Sequence, residues 1–205
     1  MKTYATLGPA CCRADLLTEL LDMGLTGFRL NLSHTTLTAC RPWTDAVQAA
    51  RQASGRDAEL IVDMRGPELR MGALPQPVPL AEGDSVTLGP GSLPVEPDIL
   101  AAVAPGQEIL LDDGLMALRA ESCGRAVTCT VTRGGVLESR KSITLPGVEL
   151  LRPALTAQDL LDLDNAAGQG VTAVMQPFVR SRHELEQVRT ALARRGLEHL
   201  TIFAK

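Results

Sequence analysis

Over roughly its first seventy residues the chain alternates short apolar runs with longer amphipathic stretches, and this alternation constrains the fold more than any other feature. Thr3–Leu7, Gly27–Leu32 and Glu59–Asp63 read as strands, and Ala14–Met23 and Leu37–Ser54 as helices. Strands separated by whole helices cannot pair as hairpins, so the pattern predicts parallel strands with helical crossovers. After Gly72 the character changes. Pro75, Pro77, Pro79, Pro90, Pro94, Pro97 and Pro105 punctuate short β-type runs at Ser85–Leu88, Glu108–Leu111, Leu115–Ala120 and Ala126–Thr132, and Gly134-Gly135 reads as a turn. Alternation then resumes: Thr156 caps a helix through Ala167, Val171–Gln176 is a strand, Ser181 opens a helix through Arg194, and Thr201–Ala204 is a strand. The expected architecture is an α/β domain formed by residues 1–72 and 144–205, interrupted at 73–143 by a small all-β domain.

Composition narrows the function classes. The 205 residues carry a net charge of -4 and no apolar run near the roughly 20 residues that a membrane span requires. Met1-Lys2-Thr3-Tyr4 runs straight into a strand without a secretory layout, so a cytoplasmic address is expected. Cys11, Cys12, Cys40, Cys123 and Cys129 form no Cys-x-x-Cys pair, and their odd number argues for reduced thiols over a disulfide framework or a zinc cluster. Without basic runs interleaved with aromatics, nucleic acid is not an expected partner.

Two segments carry the chemistry. In Phe28-Arg-Leu-Asn-Leu-Ser33, strand alternation puts Arg29, Asn31 and Ser33 on one face and Phe28, Leu30 and Leu32 on the other. A guanidinium beside two neutral oxygen donors suits a phosphate next to a monovalent cation, although ordinary polar alternation of an edge strand gives the same pattern. The second segment, Val62-Asp63-Met64-Arg65-Gly66-Pro67-Glu68-Leu69-Arg70-Met71-Gly72, lies where a buried strand gives way to a loop. Its acids and arginines read either as a site or as a surface ion-pair loop.

These segments belong to an ordered series. With Thr6-Leu-Gly-Pro-Ala10, Leu111-Asp-Asp-Gly-Leu115, Ser139-Arg-Lys-Ser-Ile-Thr-Leu-Pro-Gly147, Pro153-Ala-Leu-Thr-Ala-Gln-Asp159, Gln169-Gly-Val171, Pro177-Phe-Val-Arg180 and Thr201-Ile-Phe-Ala-Lys205, the chain resembles the pyruvate kinases. The resemblance implies a partial TIM (β/α)8 barrel with an inserted lid domain, and phosphoryl transfer between phosphoenolpyruvate and ADP that yields pyruvate and ATP. It implies that Arg29 and Lys205 are catalytic. Arg70, Lys141, Phe178, Arg180 and His34 are implied at the substrate and nucleotide phosphates. Asn31, Ser33, Asp63 and the Met64 carbonyl are implied as potassium ligands, with Glu68 at the position that accompanies potassium dependence.

Five strands and four helices of the barrel are recognisable, and Lys205 is the last residue. The family's magnesium carboxylates follow the catalytic lysine, so Mg2+ is expected to be held by residues outside this chain, which is then expected to be inactive alone. An open barrel also leaves apolar faces to cover, pointing to a missing C-terminal portion, a second chain or a homo-oligomer. Met64 replaces the family's threonine, Thr35 its glycine, Cys11-Cys12 small polar residues, and Gln176-Pro177 alanine-serine. A non-catalytic phosphometabolite-binding or regulatory module is the alternative reading.

Overall fold

Leu60, Ile61 and Val62 are consecutive, apolar and buried, as in a strand covered on both faces. They form the middle of β3 (Glu59–Asp63), the central strand of a five-stranded sheet in a computed structural model that describes residues 1–33 and 35–205. The other strands are β1 (Tyr4–Thr6), β2 (Gly27–Asn31), β11 (Ala173–Gln176) and β12 (Thr201–Ala204). The order is β1-β2-β3-β11-β12, every pair is parallel, and β1 and β12 are its two edges among the described residues.

Helices α1 (Ala14–Asp22), α2 (Arg41–Ser54), α4 (Ala157–Asp164) and α5 (Arg182–Ala193) supply the crossovers. Leu17, Leu21, Val47, Leu163, Val188 and Leu192 join Phe28, Leu30, Leu60, Val62 and Val174 in one buried cluster. Both α4 and α5 open on capping boxes, Thr156 with Asp159 and Ser181 with Glu184.

Two helix boundaries differ from expectation. α2 begins at Arg41, because the Leu37 amide donates to Asp162 Oδ1 at 2.7 Å and Pro42 is suited to a first turn. α4 stops at Asp164, and a separate 3-10 turn occupies Ala167–Gln169.

The contacts divide the chain into two units, Met1–Pro67 with Arg152–Lys205, and Glu68–Leu151. The second unit has its own core, which includes Met71, Leu80, Leu118, Val131 and Leu145. Around it run β4 (Val78–Leu80), β5 (Ser85–Leu88), β6 (Glu108–Leu111), β7 (Met116–Ala120), β8 (Val127–Arg133), β9 (Gly135–Leu137) and β10 (Ile143–Thr144). They form a sheet ordered β10-β6-β7-β8-β5, antiparallel throughout, and a β4-β9 ribbon.

This unit is not made of strands alone, since α3 (Pro97–Ala101) adds one helical turn that starts at a proline. Gly134-Gly135 does not act as a simple turn either. A Cβ on Gly134 would meet the Leu80 carbonyl oxygen at 2.5 Å and one on Gly135 would meet Met116 Cγ at 2.7 Å, so the pair lets β9 approach its neighbours closely.

Candidate anion and cation site

The register of β2, β3 and β11 lines up Arg29 with Ile61, Asn31 with Asp63, and Asp63 with Met175, which places Arg29 and Asp63 on one face at the carboxyl end of the sheet. Asp63 Oδ2 is the hub. It accepts from Arg29 Nε at 3.0 Å, from Arg29 Nη2, and from Lys205 Nζ at 2.8 Å. Arg29 Nη1 also donates to the Thr6 hydroxyl at 3.2 Å, tying in β1. The carboxylate is 1% exposed, while the Arg29 and Lys205 side chains are 28% and 51% exposed. One buried anion thus holds two cations whose outer surfaces still meet solvent.

Asp63 Oδ1 is buried without a hydrogen-bond partner. An ionised carboxylate only accepts, and leaving one buried oxygen unmatched costs about 1–3 kcal/mol, a cost that a cation bound there would offset. Its neighbours in register are also oxygen-bearing. Asn31 Oδ1 accepts from the Ser33 amide at 3.1 Å and from the Ser33 hydroxyl at 3.0 Å. Met64 is buried, and its amide donates to the Met175 carbonyl at 2.9 Å. These side chains offer hard oxygens, the chemistry that an alkali cation takes in preference to that of a thiophilic metal.

Lys205 is positioned through its backbone. Its amide donates to the Gln176 carbonyl at 2.9 Å and its carbonyl accepts from the Val179 amide at 3.0 Å, pinning it to the turn that contains Phe178. Phe178 has φ 58°, a left-handed conformation uncommon for an aromatic residue, and its ring is half exposed. Arg180 turns to Glu184, with Nε at 3.0 Å and Nη2 at 2.6 Å from Glu184 Oε1. Burial pushes the Glu184 carboxyl up, but bonds from the Arg180 amide and guanidinium and from the Ser181 amide outweigh it and hold it below its ordinary value.

The remaining anticipated residues belong to the second unit. Arg70 Nε donates to Glu68 Oε2 at 2.9 Å and Nη1 to the Arg140 carbonyl at 2.9 Å. Lys141 Nζ lies 3.2 Å from Asp112 Oδ1 and 3.6 Å from Glu138 Oε2; the hydrogen bond to Asp112 raises its pKa. His34 lies outside the described residues. The ion-pair-loop reading of residues 63–70 separates into parts: Asp63 serves Arg29 and Lys205, Glu68 serves Arg70, and the Arg65 Nη2 atom donates to the Leu32 carbonyl at 3.2 Å and the Thr35 carbonyl at 3.0 Å.

Sequence reasoning missed three contributors. Thr6 could have been found from its place at the end of the first strand. Asp159 was visible only as the end of the Pro153–Asp159 segment, yet its Oδ1 accepts from the Arg65 amide at 2.8 Å and its Oδ2 from the Gly66 amide at 3.1 Å. Nothing in its spacing marked Asp162 as the acceptor for Leu37.

Among the described residues no three or more His, Cys, Asp and Glu side chains are placed together to hold a metal ion, and no helix is long and apolar enough to cross a membrane. The Cys12 and Cys129 thiols are pushed up to about 11, chiefly by burial.

The fold and the strand-end cluster define an α/β protein with its polar site at the carboxyl edge of a parallel sheet. Residues 1–205 match the family described as pyruvate kinase, barrel domain. Similar proteins include the pyruvate kinase of Aeropyrum pernix, 37% identical over 209 residues that cover 100% of this chain and 45% of the relative. The pyruvate kinase of Mycobacterium tuberculosis is 34% identical over 95% of this chain and 43% of its own length. That of Geobacillus stearothermophilus is 30% identical over 100% and 37%. The chain belongs to the pyruvate kinase family, and it spans less than half the length of these relatives.

Proposed function

We propose that this chain supplies the first part of the barrel domain and the lid domain, 73–143, of an enzyme moving a phosphoryl group between phosphoenolpyruvate and ADP. The observation that carries this reading is the buried Asp63, which holds the cations of Arg29 and Lys205 on one oxygen and keeps the other free. An arriving phosphate offers those cations a second anion. Arg29 would take the phosphoryl oxygens in its planar fork, and Lys205 would place a point charge where negative charge accumulates during transfer. Arg70, Lys141, Arg180 and Phe178 would engage the phosphates of the nucleotide and substrate.

Asp63 Oδ1, Ser33 Oγ, Asn31 Oδ1 and the Met64 carbonyl would hold potassium, which when bound offsets phosphate charge at close range. Glu68 would mark that dependence. Magnesium would be held by residues outside these 205, and we derive no step through that ion. The remaining strands would come from the same polypeptide, another chain or a second copy, and the five free thiols suit a cytoplasmic setting.

Calorimetric titration of phosphoenolpyruvate into the 205-residue chain in potassium chloride tests this. Saturable heat is expected, with affinity falling about tenfold or more in Arg29→Ala, the loss of a charge-assisted bidentate contact. A lactate dehydrogenase-coupled assay on the same chain is expected to show no pyruvate. Absence of heat in the unaltered chain would refute the reading.

A further inference from the structure

The oxygens assigned to the cation come from two different strand ends, which the β2–β3 ladder joins as far as the Asn31–Asp63 pair but not at Ser33. Asn31 and Ser33 sit at the end of β2; Asp63 and Met64 end β3. Among the described residues, the one backbone bond joining them beyond the sheet ladder is Leu32 N to the Asp63 carbonyl at 3.0 Å. A cation site loosened by even a fraction of an ångström loses its preference for one ion size, so something must brace this gap.

Arg65 spans it. Its backbone follows directly on Met64 and is held by Asp159, through its own amide at 2.8 Å and that of Gly66 at 3.1 Å. Its guanidinium reaches back to the β2 side and donates from Nη2 to the carbonyls of Leu32 and Thr35, which flank Ser33. Asp159 is fully buried and also accepts from the Thr156 amide at 2.8 Å and hydroxyl at 2.7 Å, so it is fixed by the first turn of α4. One turn further along α4, Asp162 Oδ1 takes the Leu37 amide at 2.7 Å and anchors the far end of the same loop. The buried Arg65 Nε and Asp162 Oδ2 are each without a hydrogen-bond partner, so the brace is held by the bonds named and not by a direct ion pair.

We propose that Arg65, backed by Asp159 and Asp162 of α4, is a positioning residue that sets the distance between the β2 and β3 oxygens and so tunes affinity for the monovalent cation. This rests on the potassium reading above. It is a role that ion-pair reasoning would not assign, because the Arg65 guanidinium bonds go to main-chain oxygens.

The test is a titration of the 205-residue chain with potassium chloride, and separately with choline chloride at matched ionic strength, following the shift in melting temperature. The unaltered chain is expected to show a potassium-specific shift. In Arg65→Ala the potassium concentration at half-effect should rise about tenfold, and in Arg65→Lys, which keeps the charge but lacks the rigid fork, it should rise less. Should Arg65→Ala fail to fold, the lysine variant carries the test alone. A lower melting temperature with an unchanged potassium midpoint in Arg65→Lys would mean a purely structural role and would overturn the inference. No potassium-specific shift in the unaltered chain would overturn both this and the cation reading.

Discussion

Each unit of this protein contains a lysine–aspartate pair, and the two differ in what surrounds them. In the parallel unit Lys205 meets Asp63 at 2.8 Å, and that carboxylate is 1% exposed, shared with Arg29, and unmatched on its other oxygen. In the β unit Lys141 meets Asp112 at 3.2 Å, with the carboxylate 18% exposed and Glu138 nearby. Water screens the second pair and leaves it replaceable; the first is organised by burial, so its members cannot be removed without consequence. Pairing alone therefore does not distinguish the two; burial and an unmatched carboxylate oxygen do.

Asp159→Ala should break this contrast most severely. It removes an acceptor of four hydrogen bonds from the buried end of α4, and we expect a loss of about 3–5 kcal/mol in urea-induced unfolding. A loss below about 1 kcal/mol would show that the strand-end loops hold themselves. Asp63→Ala should lose about 2 kcal/mol by the same measurement, discounted because Lys205 and Arg29 remain partly solvated.

Asp162 gives a pH test. Burial raises its carboxyl pKa, only partly offset by the Leu37 amide bond, so the folded value lies above the unfolded one. The protonated form is therefore favoured by folding, and that contribution is lost as pH rises through the folded value. Melting temperature of the unaltered chain should fall relative to Asp162→Asn as pH climbs above about 4. Parallel curves would contradict the burial argument. At the small end, Lys141→Ala should leave melting temperature unchanged within error, and a clear drop would erase the distinction between the two units.

Much of this was legible from the chain. The switch from helix-length spacing to proline-punctuated runs foretold a parallel sheet and a separate β unit, because periodicity directly reports which faces are buried. Arg29 was legible from strand alternation, and Asp63 from its place where a buried strand gives way to a loop. Their meeting on one carboxylate oxygen with Lys205 was not, since it depends on β11 and β12 returning beside β3 from more than a hundred residues away. The brace through Arg65 was hidden for a similar reason: its targets are main-chain carbonyls, which every residue has and no pattern marks. The α3 turn and the β4-β9 ribbon were obscured by prolines that looked like breaks and proved compatible with a helix start and a short ribbon strand.

Crystals of the chain soaked in thallium acetate, with thallous ion standing in for potassium, would address the central claim directly through anomalous scattering. The account requires a peak bonded to Asp63 Oδ1 and bordered by oxygens of the β2 end, with Arg29 and Lys205 on the opposite carboxylate oxygen. Peaks elsewhere only, or an Asp63 Oδ1 satisfied by a protein donor, would contradict it.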